Sequence, residues 1–393
     1  MNRNTMINLT IALALVAGVI GFLLFPSRGG FSPRDVLAQR IVGQCSREES
    51  HEKCYEREVP KLFPSRSIPK LFELVREIRR LDPSYQFCHV LAHELGEIVV
   101  AEDPARWLDA IALNPSDNLC SNGFVHGVIV GRFRNDTLDN ATLEKTIPDF
   151  ARACEPREDW SPSALDQAIC YHGMGHLFMF ITNADVRRSL DVCQRITQSP
   201  TGDFSRVCRE GVFMQIYQPL EPDDFALVDL LPEKPTANNY RRLCSVYTDP
   251  AVQGACLREA WPLVREGVVS GTGVAQFCSG QPNAKEVDAC YDSATAIIGR
   301  MHLSEPNKGA QACAELPAAR QEVCYTSAAQ ALIEEDRGHG KDALALCARA
   351  KGSVAEGCMK LLASRSRFFF ADFRERLQFC TLFDERYRDL CAQ

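Results

Sequence analysis

The apolar positions divide the chain into stretches of different character. Residues 7–25 form an almost unbroken apolar run, interrupted by Asn8 and Thr10 near its start. A helix of that length, at about 1.5 Å per residue, crosses a hydrocarbon core of about 30 Å. The run closes on Phe22-Leu23-Leu24-Phe25-Pro26 with no small-x-small cleavage pattern behind it. It therefore reads as an uncleaved signal-anchor helix at 7–25 after a cytoplasmic N-terminus at 1–6, with a cleaved signal peptide as the alternative. Residues 26–41, with Gly29, Gly30 and Pro33, read as a tether. Beyond them strand-like alternation is scarce. Ala-rich stretches such as 289–298 and 328–333 favour helix, and breaks at Glu305-Pro306-Asn307 and Arg337-Gly338-His339-Gly340 punctuate the units.

Cysteine changes the picture more than any other residue type. There are 18 in 393 residues, an even number, and no CxxC. Zinc ribbons, thioredoxin-type pairs and haem attachment need closer spacing, so a disulfide framework in an oxidising compartment is expected. In the last 150 residues or so the cysteines pair as Cys244/Cys256, Cys278/Cys290, Cys313/Cys324, Cys347/Cys358 and Cys380/Cys391. Their second members recur after 34, 34, 34 and 33 residues. A period of about 34 is that of a helix-turn-helix repeat stacking into a solenoid. Read backwards, the pairing extends to Cys193/Cys208, Cys154/Cys170 and Cys45/Cys54, which leaves Cys88 for Cys120. The expected fold is thus all-α, a solenoid of disulfide-stapled helical hairpins behind one transmembrane helix. A His-bearing helical domain at 42–240 precedes regular repeats at 241–393.

In layout, residues 240–393 resemble tetratricopeptide and Sel1-like repeats, especially their disulfide-stapled bacterial relatives. The basic residues flanking the anchor are nearly balanced, so the cysteines decide its orientation and place the ectodomain outside the cytosol, in a bacterial periplasm or an extracellular space. A formal charge of -7 argues against nucleic acid as a partner.

Five of the eight histidines lie between residues 89 and 176, in related phrases. These are Cys88-His89-Val90-Leu91-Ala92-His93, Cys120-Ser121-Asn122-Gly123-Phe124-Val125-His126, and Cys170-Tyr171-His172-Gly173-Met174-Gly175-His176. A fourth, Cys208-Arg209-Glu210-Gly211-Val212-Phe213-Met214, keeps the frame with other side chains. The slots then hold His89/His93, Asn122/His126, His172/His176 and Glu210/Met214, each pair on one helix face. Neighbouring coils would bring them into register. His89, His93, His126, His172 and His176 are the candidate metal ligands, for Zn, Fe or Cu. Glu94 is the candidate general base, and Glu97, Asn122, Glu210 and Met214 are further ligands or partners of the ligands. The later repeats carry Arg258/Pro262, Asp292/Ala296, Thr326/Gln330 and Lys360/Ser364 in these slots, none of them a metal pair.

His93-Glu94-Leu95-Gly96-Glu97 looks like the zinc-metalloprotease helix, but Glu97 stands where that family has its second histidine. The arrangement is similar in layout to the helical-repeat di-iron enzyme deoxyhypusine hydroxylase, which implies His and Glu from successive repeats around a metal centre. The expected function is a membrane-anchored, extracytoplasmic, metal-dependent oxidoreductase or hydrolase. The alternatives are a scaffold whose C-terminal repeats bind an envelope protein, or a metal storage or delivery protein.

Overall fold

The computed structural model describes residues 33–393 apart from Gln86, Asn118, Asn122, residues 134–137, Asp159, Glu221 and Ser304. The expected anchor at 7–25 lies outside the described residues. Among those described, no helix is long and apolar enough to cross a membrane. Most of the described residues are helical. Its strands, among the described residues, are the short hairpin arms Gln198–Ser199 and Gly202–Asp203.

Helices of eight or more residues are numbered in chain order. The front half holds α1 (Pro33–Cys45), α2 (His51–Glu58), α3 (Ile68–Leu81), α4 (His89–Glu102), α5 (Gly123–Phe133), α6 (Asn140–Ala153), α7 (Ala164–Ile181), α8 (Val186–Ile196) and α9 (Ser205–Tyr217). The back half continues with α10 (Pro250–Glu259), α11 (Gly271–Cys278), α12 (Ala284–Met301), α13 (Pro306–Ala314), α14 (Ala318–Glu335), α15 (Gly340–Cys347), α16 (Ser353–Ser364), α17 (Phe373–Cys380) and α18 (Glu385–Ala392). Many of these starts are written locally. Asp139, Ser163, Asp185, Asp249, Ser270, Asn283 and Asp372 each accept a hydrogen bond from a backbone N–H in the first turn that follows. Those N–H groups have no partner within the helix, so the cap supplies it.

Nine disulfides join Cys45–Cys54, Cys88–Cys120, Cys154–Cys170, Cys193–Cys208, Cys244–Cys256, Cys278–Cys290, Cys313–Cys324, Cys347–Cys358 and Cys380–Cys391. In the back half each bridge runs from the last turn of one helix into the body of the next. Cys278 closes α11 and Cys290 lies inside α12; Cys313 of α13 meets Cys324 of α14 in the same way. Each bridge therefore ties two successive helices together across their connection.

The array does not run out as an open spring. It curls until its back half touches its front. Arg79 on α3 meets Asp336 at 2.9 Å, and the Arg337 N–H donates to the Asp117 carbonyl at 2.9 Å. The buried Arg337 guanidinium donates to Asp166 at 2.6 Å and to Ser163 at 3.1 Å, the two residues that cap α7. Two apolar cores result. One gathers side chains from Ala38 to Ala260, and the other takes those from Val268 to Cys391 together with Leu165 of α7.

Within the front core, α4, α5, α7 and α9 pack side by side. Glycine sets how near they come. A Cβ on Gly127 would lie 1.9 Å from the His93 carbonyl oxygen, and one on Gly211 would lie 2.0 Å from that of His172. No side chain fits at such a contact, so the backbones touch at the turns that carry the histidines. The cost of glycine in a helix, about 1 kcal/mol each, is offset by this packing.

Candidate metal site

The four adjacent helices present their aligned slots in a row. α4 contributes His89 and His93, α5 contributes His126, α7 contributes His172 and His176, and α9 contributes Met214. His126 is the centre. Its ring centroid lies 5.3 Å from that of His89, 5.9 Å from His172 and 5.4 Å from His176, and His172 and His176 are 5.0 Å apart. The ring of His126 is pressed against α7 where Gly173 stands, and a Cβ there would meet its Cδ2 at 2.6 Å. Two imidazoles on one tetrahedral ion, with metal–nitrogen bonds of about 2.0–2.1 Å, hold their centroids about 5 Å apart. The observed spacings fall close to that value. The nitrogens themselves are not converged, and among the described residues no three His, Cys, Asp or Glu side chains stand ready to hold an ion.

Beside the rings is a cavity of about 40 Å³, whose wall includes His89, His93, His126, His176, Met214 and Gln215. Hydrogen bonds around it fix the tautomer of His176. Asp224 is a carboxylate and can only accept; Gln215 Nε2 donates to it at 2.6 Å. That orients the Gln215 amide with its oxygen toward His176 Nδ1, 2.6 Å away. Nδ1 must then carry the ring proton, and Nε2 keeps a lone pair. Among the described residues that buried Nε2 has no hydrogen-bond partner. On α4, His93 Nδ1 lies 3.0 Å from Glu97 Oε1, close enough to attract though not aligned as a hydrogen bond. His126 Nε2 faces the Ile169 carbonyl at 3.4 Å.

Three of the imidazoles, those of His126, His172 and His176, are held uncharged. Burial pushes His126 well below its ordinary value, and the neighbouring rings of His89, His176, His172 and His93 add to the effect. Burial and then His176 push His172 down to about 3. His176 is lowered by burial, against an opposing pull from Gln215. Uncharged imidazole is the form that binds metal. Stability follows from the same shifts. An unfolded chain takes up protons on these rings below their ordinary 6.5, while folded His172 resists until about 3. The metal-free fold is therefore at full strength above pH 6.5 and loses stability as the pH falls toward 3. Melting temperatures of the metal-free protein across that window should show the decline, and His172→Gln should flatten it; an equally steep decline in the variant would remove His172 as a cause.

No family model matches this chain, and no curated protein or solved structure shows significant similarity to it. Function must be read from the site itself.

The other sequence candidates are placed as follows. Glu97 sits against His93, and Met214 lines the cavity. Glu94 lies on α4 beside His93 but does not line the cavity. Glu210, one turn before Met214 on α9, is held by Arg206 and Arg258 at 2.9 and 3.0 Å. Two guanidiniums therefore share its carboxylate, and any metal would have to compete with them for it. Asn122 lies outside the described residues. Gln215 and Asp224 give the sequence no motif to find: Gln215 sits one residue past the aligned slot, and Asp224 arrives from the segment after α9.

Proposed function

We propose that the protein is an extracytoplasmic metalloprotein whose cluster of His89, His93, His126, His172 and His176 takes up a transition-metal ion. The observation that carries this reading is the buried, partnerless Nε2 of His176, its tautomer set by Gln215 and Asp224, at the edge of a cavity that His126 shares. Leaving a buried acceptor without a partner costs about 1–3 kcal/mol. An ion at this point would use the lone pair. Glu97 beside His93 has the place of a carboxylate that tunes a ligating imidazole.

The cavity favours a catalyst over a sealed store. An ion against its wall keeps an open side, and about 40 Å³ admits a water or a comparably small molecule. Hydrolysis through a metal-activated water, or oxidation at a redox ion, fits such a position. The disulfide framework supports an oxidising compartment for it.

Metal analysis of the oxidised, full-length protein tests the reading. Near-stoichiometric metal is expected, with loss in His126→Ala and His176→Ala while the helical circular-dichroism signal persists. A wild-type protein that retains no ion after loading with zinc, iron or copper would overturn it.

A further inference from the structure

The fourth aligned phrase carries methionine where the third carries His176, and the fold gives that difference chemical meaning. Met174 and Met179 are sealed in the core, 0% and 1% exposed. Met214 is only partly buried and stands on the cavity wall with His126 and His176. Its sulfur lies 3.2 Å from His172 Nε2. An uncharged imidazole carries a single proton, and with that proton on Nδ1 the His172 Nε2 turns a lone pair toward those of the sulfur. Two electron-rich atoms facing each other are best satisfied by an electron-poor centre drawn between them.

We propose that the ion taken up here is copper(I), bound by the thioether of Met214 with the imidazoles of His126, His172 and His176. The proposal rests on the metal-binding reading above and adds the identity of the ion and its sulfur ligand. Thioether sulfur is a soft donor that suits copper(I), whereas zinc and iron, which imidazoles also hold, gain least from it. Every cysteine seen here is in a disulfide, so no thiolate competes among the described residues. The carboxylate on the wall, Asp224, already accepts from Gln215 and from the Leu220 N–H at 2.9 Å. All four proposed donors are uncharged. The cost of burying an ion among them rises with the square of its charge, so a monovalent ion bears about a quarter of the penalty of a divalent one.

Anaerobic titration of the full-length protein with copper(I), kept reduced by ascorbate and competed with bicinchoninate, tests this against a parallel zinc titration. Met214→Leu keeps the side-chain volume and is tolerated in most packed sites. The expected result is copper(I) retention by the wild type and a loss of about tenfold or more in copper(I) affinity in Met214→Leu. Zinc affinity should stay the same in both proteins, which also shows that the variant is folded. Zinc binding without copper(I) retention, or copper(I) affinity untouched by Met214→Leu, would overturn the copper assignment and leave the metal site standing. Binding of neither ion would overturn the metal reading itself.

Discussion

Protein reduced with excess thiol and alkylated should show no cooperative melting transition, whereas the oxidised protein melts sharply. The loops closed by the nine bridges span 9 to 32 residues. By the chain-entropy argument each stabilises the fold by about 2–4 kcal/mol. A domain's net stability is only about 5–15 kcal/mol, so their joint removal exceeds it. The Cys88–Cys120 bridge closes the longest of these loops and ties the start of α4 to the approach to α5, the two helices that carry His89, His93 and His126. Its removal alone by Cys88→Ala with Cys120→Ala is expected to cost about 2–5 kcal/mol. A reduced protein that still melted within a few degrees of the oxidised one would show that packing suffices without the bridges.

Arg258→Met is expected to be the most damaging single substitution outside the cysteines. Arg258 is 3% exposed and lies between the buried Glu286 and the partly buried Glu210, donating to Glu210 at 3.0 Å and pairing with Glu286 at 2.5 Å. Gly254 leaves room for Glu286; a Cβ on it would press into that carboxylate. Removing the guanidinium leaves Glu286 with no counter-charge at this contact and Glu210 with Arg206 alone. Breaking such a pair costs about 3–5 kcal/mol, because a stranded buried charge is worse than none. Thermal or urea unfolding of the oxidised variant measures it. A change under about 1 kcal/mol would mean that water reaches the carboxylates and the network is not structural.

These two results mark different kinds of information. Disulfide pairing is a question of spacing along the chain, and the recurrence of second cysteines after 34, 34, 34 and 33 residues is printed in the sequence. The Arg258 network is not. Its partners come from α9 and α12, 48 and 28 residues away, and nothing local marks them. Glu210 shows the consequence. Its slot in the aligned phrases made it a candidate ligand, yet on the helix that presents Met214 to the cavity it is held by Arg206 and Arg258. The closure of the array through Arg337 and Asp166 was equally invisible, since 171 residues separate the partners.

For the candidate site the division is similar. The i,i+4 phrases place the histidines on single helix faces, and that much follows from helical geometry alone. That His126 became the hub depended on Gly127 and Gly173, which let α4 and α7 close on α5. The tautomer of His176 was decided by Gln215 and Asp224, whose relevance comes from contact rather than pattern.

By itself, then, the sequence determined the helical class, the stapled period and which residue types carry ligand chemistry. Those properties depend on separations of one repeat or less, where chain connectivity limits what can meet. Tertiary structure alone decided which faces oppose each other, which carboxylates were neutralised and where a lone pair was left over. Such outcomes depend on how distant helices pack, and burial makes each unmatched polar atom costly enough to choose among the alternatives.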